Sequence, residues 1–219
     1  MIKEILIRLT QHEKLSRQEA KEVLLFIGSG AGDPYQITTF LSVYMLRSIT
    51  VEELAGFRDA LLALCVSVDL SAYNPIDLCG TGGDGKDTFN ISTLSSFVTA
   101  GAGIHVAKHG NYGVSSSCGS SNVMEYLGVR FSNDVDFLEK CIDTAGICVL
   151  HAPLFHTAMK HVAPIRRALQ LKTFFNMLGP LVNPCTPKQQ IVGVFNLALL
   201  RLYHFLFQDT DTNFCILHA

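Results

Sequence analysis

Apolar and polar positions follow two different periods along this chain, and the change falls near residue 70. Before it, Ile2, Ile5, Leu6 and Leu9 share one face of a 3.6-residue repeat, which predicts a helix over residues 2–11. Ser16 with Glu19, and Thr50 with Glu53, have the spacing of capping boxes and mark two more helix starts. Gly32-Asp33-Pro34 marks a turn into a further helix between them. After Asn74-Pro75, short apolar runs of strand length appear at residues 76–79, 104–107, 128–131, 147–151, 191–195 and 214–217. Helical patterns separate most of them, as at residues 135–145 and 197–207. Strand alternating with helix predicts an α/β fold with a mostly parallel sheet. The expected organisation is an all-helical N-terminal lobe over residues 1–70, joined in space by about 165–187, and a larger α/β domain over 75–219.

Two stretches interrupt these patterns where ligands of parallel sheets bind, at the carboxyl ends of strands. Residues 77–92, DLCGTGGDGKDTFNIS, set Gly80, Gly82, Gly83 and Gly85 between an apolar run and a helix start. Glycine accepts positive φ, and successive bare N–H groups then make an anion-binding nest beside a helix N-terminus. The backbone at Gly80, Gly82 and Gly83 suits phosphate oxygens, and Asp84 suits ribose hydroxyls or a metal-bound water. Asn90, Ser92 and Thr93 have short polar side chains that either cap the next helix or turn toward a ligand. Residues 108–119, KHGNYGVSSSCG, form a second loop, and from His109 to Met124 there is no acid, Lys or Arg. Lys108 is a flexible point charge suited to phosphate.

GTGGD at 80–84, NIST at 90–93, KHGN at 108–111 and the run HTAMKHVAPIRRALQLKTFFNMLGPLVNP at 156–184 together resemble the anthranilate phosphoribosyltransferase family, in order along nearly the whole chain. The resemblance implies the nucleoside phosphorylase/phosphoribosyltransferase-like fold and transfer of phosphoribosyl from phosphoribosyl pyrophosphate to anthranilate, a step of tryptophan biosynthesis. By the same resemblance the phosphoribosyl pyrophosphate contacts are Gly80, Gly82, Gly83, Asp84, Thr88, Asn90, Ile91, Ser92, Thr93, Lys108, His109, Gly110, Asn111, Ser115, Ser116 and Ser120. Gly80, Asn111 and Arg166 would meet anthranilate, and Ser92 would be a ligand of Mg2+, the implied cofactor. A guanidinium suits a bidentate carboxylate contact, and of the adjacent pair Arg166 and Arg167 one is expected to point to solvent. Two departures stand out: Tyr112 occupies the place of a usual Arg, and the sequence ends at CILHA, before the acidic pair that the resemblance leads one to expect at the magnesium. The expectation is therefore either a fragment or a chain that has lost part of its metal site. A pyrimidine nucleoside phosphorylase and a catalytically inactive phosphate-sugar binding homologue stay open as alternatives.

Composition narrows the classes further. Net charge of −2 with scattered signs leaves no basic stripe for nucleic acid and no polybasic membrane patch. No uncharged run is apolar enough to span a bilayer, and MIKEILIRLT is unlike a secretory signal. Seven dispersed cysteines without a C-x-x-C pair fit reduced thiols in a cytoplasmic protein. His109, His151, His156 and His161 lack a zinc-like pattern with a carboxylate, so structural roles or ligand contacts are expected. Cys79 and Cys118 have no activating partner in view and are expected to be small fillers. A homodimer through the helical lobe is implied by resemblance, and no general acid or base is assigned, since an aromatic amine is already mostly neutral at pH 7.

Overall fold

A computed structural model describes residues 2–83, 85, 86, 88–113 and 118–218. Four helices open the chain: α1 (Ile2–Thr10), α2 (Arg17–Gly28), α3 (Pro34–Leu46) and α4 (Val51–Leu64). Their starts follow from local chemistry. Ser16 and Thr50 close capping boxes with Glu19 and Glu53, while Asp33 caps α3 with Pro34 in its first turn. Glu53 does more than cap. Fully buried, it accepts hydrogen bonds from Leu15 N, Tyr44 Oη and the Arg47 guanidinium, and so ties α3 to α4 and the α1–α2 connection.

The second part alternates β1 (Ile76–Gly80), α5 (Ile91–Gly101), β2 (Val106–Gly110), α6 (Ser120–Tyr126), α7 (Val135–Ala145) and β3 (Ile147–His151). After the short helices α8 (Ala152–Phe155) and α9 (Ala163–Leu169) come 3-10 turns at Phe174–Met177 and Gly179–Leu181. β4 (Gln189–Gly193), α10 (Leu197–Gln208) and β5 (Asn213–Leu217) complete it. All pairings are parallel, in the order β3-β2-β1-β4-β5. The direction of strand addition reverses between β1 and β4, which opens a crevice outside their carboxyl ends.

The expected strand at 128–131 does not form. Gly128 turns left-handed (φ 82°) at the end of α6, and Val129 N bonds back to Met124 O, so this backbone is spent on closing a helix. β2 also runs further than its apolar run, so that Lys108 and His109, expected in a loop, are strand residues between β1 and β3.

One core joins the N-terminal helices to the sheet. Phe174 stacks on Phe57 (centroids 4.4 Å apart) and meets Phe40 and Tyr44 edge-on. Val192, Val194, Tyr203 and Phe207 belong to the same buried cluster. The segment between β3 and β4 is thereby held over the ends of the strands, where both glycine-rich loops emerge.

Candidate active site

The first loop leaves β1 at Gly80, beside the crevice. Thr81 N donates to Gly193 O at 2.9 Å, fastening the loop's root to the end of β4. Beyond it Gly82, Gly83 and Gly85 take φ of 63°, 73° and 71°, a conformation that costs an L-residue about 1–2 kcal/mol. A side chain at Gly82 or Gly85 would meet nothing within 4 Å, so glycine is required there by backbone conformation and not by crowding. Asp84 lies outside the described residues. Thr88 and Ile91 are exposed, and Asn90 occupies the N-cap of α5.

Asn90 makes no capping bond; its Nδ2 points to Cys118 Sγ at 3.7 Å, in the second loop. The two loops therefore meet at the start of α5. Ser92 is half-buried in the first turn, and Thr93 is buried with its Oγ1 lacking any hydrogen-bond partner among the described residues. An unpaired buried hydroxyl is costly in a folded chain and is a common mark of a site that a ligand or water completes.

The second loop is pinned at both ends. Asn122 Oδ1 accepts from Gly113 N and Gly119 N at 3.1 and 2.9 Å, and Asn111 O accepts from Ser121 N at 3.1 Å. The turn is tight enough that a side chain on Gly119 would come within 2.6 Å of Asn111 O. Ser120 Oγ donates to Asn111 O at 3.4 Å and sits directly over Gly110. Ser115 and Ser116 lie outside the described residues. Tyr112 turns away from the glycines: its ring meets His151 edge-on at 4.9 Å and its hydroxyl donates to Glu125 at 3.2 Å.

Lys108 departs most from expectation. It is no flexible loop cation but 1% exposed, its ammonium donating to Leu78 O at 2.8 Å. Its charge interacts with that of Asp77, which is fully buried and accepts from His109 N at 3.2 Å. Burial raises the Asp77 carboxyl and lowers the Lys108 ammonium, each partly offset by the other's charge. Asp77 Oδ2 has no hydrogen-bond partner among the described residues. The pair lies within β1 and β2, the neighbouring strands from whose carboxyl ends the two loops leave.

His109 and His156 form a second buried pair, with centroids 5.3 Å apart. Gly179 O can only accept, so His109 donates to it from Nδ1 at 3.0 Å; by the same logic His156 donates from Nε2 to Val182 O at 2.8 Å. Burial pushes His109 down to about 3 and lowers His156 as well, so both imidazoles are neutral. Their remaining nitrogens, His109 Nε2 and His156 Nδ1, are then bare acceptors, and neither has a partner among the described residues.

Arg166 on α9 is half-buried while Arg167 is exposed, the split expected of adjacent arginines. The Arg166 guanidinium lies 5.1 Å from the Phe175 ring and makes one long bond, 3.4 Å, to Asn176 Oδ1. Burial lowers it, and no carboxylate pairs with it among the described residues. A partly dehydrated, unmatched guanidinium is suited to receive a carboxylate ligand.

Sequence reasoning missed Lys172, Asp77 and the pairing of His109 with His156. Lys172 reaches across to donate to Gly83 O at 2.6 Å. Asp77 had a visible signal, an acid inside an apolar strand; the other contacts join residues dozens of positions apart and had none. Among the described residues no group of three or more His, Cys, Asp or Glu side chains could hold a metal ion. No helix is long and apolar enough to cross a membrane, again among the described residues.

Residues 72–217 match the model of the glycosyl transferase family a/b domain, and residues 3–65 match that family's helical bundle domain. Anthranilate phosphoribosyltransferases of Flavobacterium psychrophilum and Flavobacterium johnsoniae are 72% and 69% identical to this chain over 218 residues, 100% of it and 66% of each relative. The chain spans about two thirds of the length of the curated relatives it matches. Among solved structures, the anthranilate phosphoribosyltransferase of Thermus thermophilus superposes with a TM-score of 0.90 at 33% identity, over 98% of this chain and 65% of that one. The Saccharomyces cerevisiae enzyme in complex with PRPP and Mg gives 0.89 at 28% identity, over 98% and 64%.

Proposed function

This chain belongs to the glycosyl transferase family in both its helical bundle and its a/b domain, and from that premise we propose that it transfers the phosphoribosyl group of phosphoribosyl pyrophosphate to anthranilate in tryptophan biosynthesis. The observation that carries this reading is the run of positive-φ glycines at the switch point, an anion cradle that leads into the start of α5. The phosphorylated donor would lie on Gly80, Gly82 and Gly83, with Asn90, Ser92, Thr93, Asn111 and Ser120 around it. Lys108, buried beside Asp77 with its ammonium on Leu78 O, then supports the strand from which the second loop leaves rather than making a mobile contact.

The acceptor carries a carboxylate and an amine. Arg166 suits the carboxylate, and Asn111 is the second proposed contact for the acceptor. In the reaction the bond from ribose C1 to the diphosphate oxygen breaks with its electron pair leaving on oxygen, the amine nitrogen bonds C1, and the surplus proton on that nitrogen passes to the departing diphosphate or to water. Positive charge builds on the sugar and negative charge on the diphosphate. Backbone N–H groups and cations stabilise the leaving group, and orientation of the amine supplies much of the rest.

A magnesium ion entering with the diphosphate would find Ser92 Oγ as its protein oxygen. Magnesium keeps several waters and favours carboxylates, and the described residues supply too few such ligands to hold it alone. We read the protein as a cytoplasmic homodimer formed through the helical lobe, where Tyr35 and Leu46 on α3 are 82% and 89% exposed. Calorimetric titration tests the central reading: the chain with magnesium should bind phosphoribosyl pyrophosphate and anthranilate, and a fluorescence assay should report phosphoribosyl-anthranilate. Binding of neither substrate would refute it. Sedimentation at equilibrium tests the dimer.

A further inference from the structure

Lys172 lies two residues after Gln170, whose left-handed backbone (φ 53°) stops α9 and turns the chain toward the first glycine loop. Its root is fixed. Thr173 is buried, and Thr173 N donates to the same Asn176 Oδ1 that accepts from Arg166, at 3.1 Å. Its tip is exposed and donates to the carbonyl of Gly83, which is 89 positions earlier in sequence. An ammonium carries three donors in a compact charge, and a phosphate oxygen is a stronger acceptor than a neutral carbonyl. The space beside that contact is open: a side chain at Gly82 or Gly85 would meet nothing within 4 Å. The cation thus stands at the mouth of the cradle, supplied by the opposite wall of the cleft.

We infer that Lys172 is a diphosphate-binding residue, with the Gly83 carbonyl as its partner when no anion is bound. The inference rests on the proposed reading of the glycine loop and deepens it. Lys172 moves from a neutral acceptor to an anionic one when donor binds, which ties the segment that carries Arg166 to the loaded loop. The donor thereby organises the wall that receives the acceptor.

Lys172→Gln and Lys172→Arg separate this role from a structural one. Glutamine keeps an N–H donor for Gly83 and removes the charge; arginine keeps both. Titration of each chain with inorganic pyrophosphate and with phosphoribosyl pyrophosphate, in magnesium, should show Lys172→Gln weakened about tenfold and Lys172→Arg within about threefold of the parent. The salt dependence of pyrophosphate binding should also become shallower in Lys172→Gln. Parent-like binding of both ligands by Lys172→Gln, with the parent itself binding, overturns this inference alone. A parent chain that binds neither ligand overturns the functional reading and this inference with it.

Discussion

Replacing Arg166 by alanine should abolish acceptor recognition while leaving the fold nearly untouched, and the structure sets both magnitudes. Within the protein the guanidinium gains little: a bond of 3.4 Å to Asn176 and a ring contact at 5.1 Å to Phe175. A long hydrogen bond and a partly exposed cation–π contact are together worth about 1–2 kcal/mol, offset by the rehydration that burial now denies the cation. The net cost to stability should be about 1 kcal/mol or less. A carboxylate held by two charge-assisted bonds is worth more, about 2–4 kcal/mol net, or roughly 30- to 1,000-fold in affinity. Calorimetric titration with anthranilate, alongside aniline, which lacks the carboxylate, isolates the pair as a double cycle. Arg166→Ala should lose anthranilate and leave aniline unchanged, and phosphoribosyl pyrophosphate should bind as in the parent. Arg166→Lys should fall between, since it keeps the charge and loses the fork. Equal losses for anthranilate and aniline, or a fall in urea stability of more than about 3 kcal/mol, would refute the argument, because the side chain would then serve the fold.

Other perturbations probe the buried groups of β1 and β2 and the first loop. Lys108→Met leaves Asp77 buried without its compensating charge, and should cost about 3–5 kcal/mol in urea unfolding; adding Asp77→Asn should recover much of it. No recovery in the double variant would mean the two charges are not coupled. His109 sits at about 3 in the folded state, below its ordinary 6.5, so its contribution is complete above pH 6.5 and declines as pH falls from there toward 3. The slope it adds approaches about 1.4 kcal/mol per pH unit, and His109→Asn should flatten the acid limb of stability between pH 6 and 4. Gly82→Ala should cost about 1–2 kcal/mol through φ 63° alone, since no atom crowds the new methyl, and should weaken phosphoribosyl pyrophosphate at least tenfold by obstructing the cradle. An alanine variant that binds the donor normally would place the phosphate elsewhere.

Much of this molecule was legible in its sequence because the signals are local. Capping boxes at Ser16 and Thr50, the Asp33-Pro34 start of α3 and the positive-φ glycines after β1 each depend on residues within a few positions of one another. The alternation of strand and helix set the parallel sheet for the same reason. Local pattern also misled where it met tertiary competition: the apolar run at 128–131 became the close of α6 once Val129 N turned back to Met124 O. Strand order, and with it the crevice between β1 and β4, rests on pairing between distant segments. Lys108 looked like a loop cation because its residue type fits a phosphate; only the continuation of β2 between two neighbours buried it on Leu78 O. The bare nitrogens of His109 and His156 exist because Gly179 and Val182, packed in through Phe174, supply carbonyls to the opposite edges of the rings. Sequence determines which groups are offered, since conformation over a few residues is set by neighbours. Which of them remain unpaired is decided by contacts between segments dozens of residues apart.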